Sequence, residues 1–212
     1  MTITLKLLES VGQIESNILS ALSNQFNASM KSKKNKILQD VKTLIPLWIS
    51  SQPEMQSLLS NDPASLVGQF GITISPTSIV SSIISSIVNS STISITPYDK
   101  KLTGGGIELN IQPDNFTNLL GLSQGHSVYQ DGNLHWLDWL LNLGDAVIVV
   151  GYQYNPKTGL GRSKLGNMKT GGSFRVPPEF SGTEQNNFIT RALIGSDQEK
   201  QIIKIFETVL SA

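Results

Sequence analysis

Apolar residues recur at intervals of three and four along the first 59 positions. Leu7, Val11, Ile14, Ile18, Ala21, Leu22 and Phe26 form one stripe, and Ile37, Leu38, Val41, Leu44, Ile45 and Trp48 form a second. This is the spacing of amphipathic helices that turn one face to a core. Between the stripes lies Lys31-Ser-Lys-Lys-Asn-Lys36, either a solvated face of one helix or a break between two. Pro46 predicts a bend or restart in the second helix. Pro53 suits the first turn of a further helix carrying Met55, Leu58 and Leu59, before the Asn61-Asp-Pro63 turn. Ser75-Pro76 can cap and open the next helix. There Ile79, Val80, Ile83, Ile84, Ile87 and Val88 make the stripe, with serines at 81, 82, 85 and 86 opposite.

From Thr92 the period changes to two. Thr92-Ile-Ser-Ile-Thr96 and Gly106-Ile-Glu-Leu-Asn-Ile111 alternate cleanly, which predicts an antiparallel pair joined by a flexible glycine-rich connector. Pro113 begins a helix with Phe116, Leu119 and Leu120, ended by Gly121. Trp136, Leu137, Leu140 and Leu141 predict a short apolar helix closed by Gly144. The unbroken apolar start of 146–154 predicts a central strand buried on both faces. Positions 155–172 hold five glycines and read as one long loop, a length usual for functional or disordered segments. After Phe174-Arg-Val176 and a Pro-Pro turn, Thr183 can cap a helix through Ala192, and 197–210 predicts a terminal helix. Helices first, then strands interleaved with short helices, make an α+β pattern. The expected architecture is one domain over 1–212: 1–90 mainly helical, 91–212 a small, mostly antiparallel sheet with short helices, long loops and a C-terminal helix.

Composition then narrows the function. Charged residues are 15% of the chain, below the roughly 25% usual for soluble domains. Ser, Thr, Asn and Gln replace them, a surface suited to burial in an assembly. Sixteen Lys and Arg balance sixteen Asp and Glu, so no global field gathers nucleic acid or anionic membrane. Absence of Cys excludes disulfides and thiolate metal sites. The N-terminus has no signal-peptide pattern and no segment approaches a membrane span, so the expected site of synthesis and assembly is a cytoplasm.

Candidate chemistry is sparse. Thr103-Gly-Gly-Gly106 and Gly159-Leu-Gly-Arg-Ser-Lys-Leu-Gly166 lack the Gly-Lys-Ser/Thr order and following helix of a phosphate loop. His126 and His135, near Asp131 and Asp138, lack the i, i+4 pairing of zinc motifs and read as loop or helix-end histidines; a hydrolase built on them is the weakest alternative. No catalytic, cofactor or metal residue is assigned. Lys31–Lys36 and the cations Lys157, Arg162, Lys164 and Lys169 permit weak, salt-sensitive nucleic-acid binding or contact with an acidic partner. Trp136 and Trp139 read as core or interface anchors. Positions 173–193, from Ser173-Phe-Arg-Val-Pro-Pro through Phe188-Ile-Thr-Arg-Ala-Leu193, read as a docking element that aims Phe188, Ile189 and Leu193 at a core or a neighbour.

Trp136-Leu-Asp-Trp-Leu-Leu-Asn-Leu-Gly144, a strand, a Gly/Arg/Ser loop, Phe174-Arg-Val-Pro-Pro-Glu-Phe-Ser-Gly-Thr183 and Asn187-Phe-Ile-Thr-Arg-Ala-Leu193 together resemble neck or tail-completion proteins of tailed bacteriophages. The resemblance covers about 130–212, and the N-terminal helices by order alone. It departs at Leu143, where the family usually has an acid, and at Asn187, where it often has proline. It implies a non-enzymatic virion protein without cofactors, forming a ring, expected to be a hexamer, that completes the head-proximal end of the tail and joins it to the head. Terminator and stopper roles in the same neck remain open. Implied partners are copies of itself, the connector or stopper on one side, the tail tube or terminator on the other, and DNA passing through the lumen. Expected interface residues are Trp136, Trp139, Lys157, Arg162, Lys164, Lys169, Arg175, Phe180, Phe188 and Arg191, with 97–106 and 155–172 as mobile arms toward the next subunit.

Overall fold

A computed structural model describes residues 8–129, 132–159 and 161–211. Leu7 of the first stripe and Asp131 lie outside these residues. The fold is α+β, as the change of period implies, with a long N-terminal helix, small antiparallel sheets and a C-terminal helix. Among the described residues the helices are α1 (Val11–Ser50), α2 (Pro53–Leu59), α3 (Leu66–Gln69), α4 (Pro76–Ser90), α5 (Thr117–Leu120), α6 (Trp136–Leu141), α7 (Phe188–Leu193) and α8 (Ser196–Ser211). The strands are β1 (Thr92–Thr96), β2 (Gly106–Asn110), β3 (Ser127–Tyr129), β4 (Gly132–Leu134), β5 (Val147–Asn155) and β6 (Asn167–Arg175). They form three separate two-stranded antiparallel sheets, β1–β2, β3–β4 and β5–β6, rather than one.

Helix α1 runs unbroken through both positions that invited a break. The lysine run is a solvated helical face: Lys36 pairs with Asp40 one turn on, at 2.9 Å, and Lys33 Nζ donates to the Leu210 carbonyl at 3.1 Å. Pro46 sits inside the last turns, where Ile45, Trp48 and Ile49 are buried. Packing on both sides of the proline outweighs the roughly 3 kcal/mol it costs a helix interior.

The chain divides into two compact units, both discontinuous in sequence. The first takes residues 8–40, 92–110 and 203–211. Its small core is Ile37, Ile93 and Val209, with Leu38, Ile107, Leu109, Ile205 and Phe206 packed around them. The connector 97–105 is tied down rather than free. Ser23 Oγ and Asn27 Nδ2 donate to the Tyr98 carbonyl, and the Tyr98 N–H donates to Asn27 Oδ1 at 2.8 Å. Asp99 accepts from the Thr103 hydroxyl and from the N–H groups of Thr103 and Lys101. These bonds, led by the hydroxyl, hold its carboxyl below the usual range.

Docking Ser23 and Asn27 against that connector rotates α1 so that its apolar stripe faces outward. Val11 is 80% exposed, Ile18 54% and Phe26 51%, whereas Ser23 and Met30 are the buried positions of this stretch. The expectation that this stripe faces a core is therefore corrected.

The second unit takes 41–91 and 111–202 and holds the main core. Phe70 is its centre, stacked on Trp136 at 5.9 Å and edge-on to Phe174 at 6.3 Å. The isoleucines of α4 enter this core, and its serines anchor the returning chain: Ser90 and Ser91 donate to the Ile111 carbonyl, and Ser86 to that of Asn118. Helix α6 ends at Leu141, and Gly144, in the left-handed region at φ 63°, turns the chain after it. The Ser181-Gly182 turn lies against the end of α6. A Cβ at Gly182 would stand 1.9 Å from the Leu140 carbonyl oxygen, so only glycine fits.

The cap of α7 is Asn187, not Thr183. Its Oδ1 accepts from the N–H groups of Ile189 and Thr190, while Thr190 Oγ1 accepts from the Asn187 N–H, a reciprocal capping box. Asn187 is fully buried, and its Nδ2 donates to the carbonyls of Leu141 and Thr183. Nearby, Glu54 is fully buried and bonds through Oε1 to Arg191 Nη2, while its Oε2 has no partner.

Two variants report on this core. Phe188 is fully buried, so Phe188→Ala is expected to cost about 3–5 kcal/mol in urea unfolding. Arg191→Ala is expected to cost about 3–5 kcal/mol, because it strands a buried carboxylate, and Glu54→Gln in the same background should recover part of that loss.

Candidate interface: the β5–β6 ribbon and the outward face of α1

Strands β5 and β6 pair over their length, from Val147 opposite Arg175 to Asn155 opposite Asn167. The expected loop 155–172 is therefore strand at Asn155 and from Asn167 onward. Gly171 and Gly172 take φ values of 112° and 70° within β6, facing the irregularity around Gly151 at φ 82°. Such bulges twist a ribbon without ending it. The central, doubly buried strand expected at 146–154 is also corrected: β5 has one partner, and Val150 is 79% exposed. The true connector is 156–166.

One hydroxyl shapes that connector. Tyr154 OH donates to the Pro63 carbonyl and accepts from the Gly166 N–H at 2.9 Å. A Cβ on Gly166 or Gly68 would lie 2.4 or 2.3 Å from that oxygen, so these glycines make room for a tyrosine, not for a phosphate. Arg162 stacks 4.7 Å from the Tyr129 ring centroid and donates to the Val128 carbonyl, while Tyr129 OH donates to the Phe70 carbonyl. Burial pushes the Tyr129 phenol above its ordinary value, against the opposing pull of Arg162. Burial does the same to Tyr154, against its bond from Gly166. The cleft left between them, about 90 Å³, falls well short of an ordinary small-molecule pocket. A wider open groove of about 520 Å³ runs along Ser82, Ser85, Asn89, Asn118 and Gln124 and contains no titratable group.

The ten expected interface residues divide into three groups. Trp136 and Phe188 are fully buried core residues, which corrects their assignment to an interface. Trp139 and Phe180 are partly buried against the same core, and Arg191 is committed to Glu54. Lys157, Arg162, Lys164, Lys169 and Arg175 all lie on the ribbon or its connector and are exposed. No acidic residue occurs from 146 to 176, so these five cations stand without an internal counter-charge. Val147, Val149, Val150, Tyr152 and Met168 are exposed on the same ribbon. It is thus at once apolar and basic.

The exposed face of α1 was missed by periodicity, which locates a stripe without saying what covers it. Val11, Ile18, Leu22 and Phe26 are all exposed, as is Leu8 just before the helix, and Glu15 is the one charged residue from Ser10 to Met30. Sequence reading also missed that His126 and His135 meet. Among the described residues no group of three or more His, Asp or Glu side chains suits a metal ion, and no helix is long and apolar enough to cross a membrane. No protein-family model, curated protein or solved structure matches this chain.

Tyr154→Phe is expected to cost about 1–3 kcal/mol, the usual range when a buried donor, here the Gly166 N–H, loses its partner, and to speed hydrogen exchange at that amide. The two raised phenol pKa values set an alkaline limit. The unfolded chain loses these protons first, so their contribution is complete below about pH 10 and declines as pH rises above it. Urea midpoints measured across that range should fall, and Tyr154→Phe should fall less steeply.

Proposed function

We propose that this chain is a non-enzymatic structural subunit that assembles with copies of itself, in the neck of a tailed-phage virion as the resemblance of its C-terminal half implies. The observation that carries the assembly reading is the outward apolar face of α1. A helix that buries a serine and half-buries an asparagine while exposing valine, isoleucine, leucine and phenylalanine is unstable in solvent relative to the same helix covered. The face carries one charge, Glu15, a turn from both Val11 and Ile18, and no cation occurs from Ser10 to Met30, so nothing there selects an anionic membrane. The β5–β6 ribbon offers a different surface. Contacts between unlike surfaces on successive copies close into rings when the rotation permits, which is the form the neck reading requires. Completion of the tail end is the favoured position, with terminator and stopper as alternatives.

A second reading has its own support. Five cations without an acid on one ribbon suit a polyanion, and DNA threading a ring would meet such a surface. The two readings are compatible.

Light scattering on the purified chain tests assembly. The expected mass is that of a closed oligomer, and Ile18→Glu or Val150→Asp, both at exposed positions, should reduce it toward one subunit while leaving the thermal melt of the fold intact. A monomer at tens of micromolar, absent from purified particles, would overturn the proposal. For DNA, Lys164→Ala and Lys169→Ala should each lower the slope of log affinity against log salt by about one unit.

A further inference from the structure

The two histidines of the chain are partners across a hairpin. In the β3–β4 ladder Ser127 faces Leu134, Val128 faces Asn133 and Tyr129 faces Gly132. Extending that register by one step at the open end sets His126 opposite His135. Directly opposed residues of an antiparallel pair hold their side chains on the same face, and the two imidazole centroids are 3.7 Å apart, with the rings tilted by 59°.

The nitrogens of this pair are not randomly aimed. His126 Nε2 lies 3.4 Å from the Leu120 carbonyl oxygen. A carbonyl only accepts, so Nε2 carries the proton and Nδ1 carries the lone pair. That Nδ1 lies 3.2 Å from Asn133 Nδ2, and His135 Nε2 lies 3.4 Å from the same atom. Two imidazole nitrogens therefore converge on one point, which the exposed carboxamide of Asn133 fills. A ring held by a backbone carbonyl through one nitrogen, with the other free to ligate, is the arrangement that outer-shell carbonyls impose on metal-bound histidines. His135 and Asn133 are exposed, so the point is open to solvent.

We propose that His126 Nδ1 and His135 Nε2 form a bidentate clamp for one imidazole-preferring divalent transition ion, Cu²⁺, Ni²⁺ or Zn²⁺. Asn133 swings aside or turns its carbonyl oxygen inward, and water completes the coordination. With two nitrogens and no acid among the described residues, the site favours these ions over Mg²⁺ and Ca²⁺, which require oxygen ligands. Its consequence is local: the ion staples β3 to β4 at the open end of the hairpin. The inference is independent of the assembly reading.

Calorimetric titration of the tag-free chain with NiCl2 tests the clamp. One saturable site per chain is expected, with MgCl2 giving none. His135→Ala should weaken Ni²⁺ by at least about 10–100-fold, the loss seen when even outer-shell support is removed, with an unchanged circular-dichroism melt in the absence of metal. Asn133→Asp, which sets an anionic oxygen at the convergence point, should tighten binding. Cu²⁺ electron paramagnetic resonance should show two coordinated nitrogens, reduced to one in His135→Ala. Absence of saturable Ni²⁺ binding, or an affinity unchanged in His135→Ala, overturns the proposal. Because the His135 ring is exposed and its one hydrogen bond is to Asn133 among the described contacts, that variant stays interpretable even if His126→Ala, which loses the bond to Leu120, fails to fold.

Discussion

Every buried carbonyl and amide in a folded chain needs a hydrogen-bond partner, and this chain has little regular sheet to provide one. Three two-stranded ladders leave long irregular segments to be satisfied by side chains. Asn27 and Ser23 serve the backbone of Tyr98. Ser90 and Ser91 serve Ile111. Tyr154 serves Pro63 and Gly166, and the Asn187 side chain serves five backbone groups while fully buried. The neutral polar residues that displace charge from the composition therefore work inward as well as outward. Their abundance reflects how the irregular segments are held, in addition to the kind of surface they leave.

That requirement has a consequence at the surface. Using the serine and asparagine face of α1 to hold the connector leaves Val11, Ile18 and Leu22 exposed, while Phe26, though half exposed, still touches the Tyr98 ring at 6.4 Å. The polar bonds are fixed in geometry and the hydrophobic effect is not directional, so the bonds set the rotation and the stripe is left for another surface. The ribbon shows a related effect: Tyr154 pins the base of the connector, yet β5 has a partner on one side only, and its valines stay exposed. Both surfaces are by-products of internal hydrogen bonding that become available for contact.

The core and the surfaces divide the aromatic residues between them. Trp136, Phe70, Phe174 and Phe188 are consumed in packing, whereas Tyr129 and Tyr154 each use a ring for cover and a hydroxyl for a backbone carbonyl. Arg162 lies over Tyr129 and donates to the Val128 carbonyl rather than projecting freely, whereas the lysines at 157, 164 and 169 are exposed.

Much of this was legible in the order of residues. The 3.6 period located α2, α4 and α8 closely because each carries an unambiguous stripe, and the strict alternation at 92–96 and 106–110 located β1 and β2, since a two-residue period has no other common source. What periodicity supplies is a direction on each element, not the surface that direction meets. The outward rotation of α1 depends on a connector about 70 residues away. The glycines at 171 and 172 suggested a loop because glycine is permissive, but cross-strand pairing with β5 made them part of a twisted strand. Asn187 rather than Thr183 became the cap because only the folded core brought the Leu141 carbonyl within reach. The meeting of His126 and His135 followed from a hairpin too short to announce itself. In each case a local pattern allowed two outcomes, and contacts distant in sequence selected one.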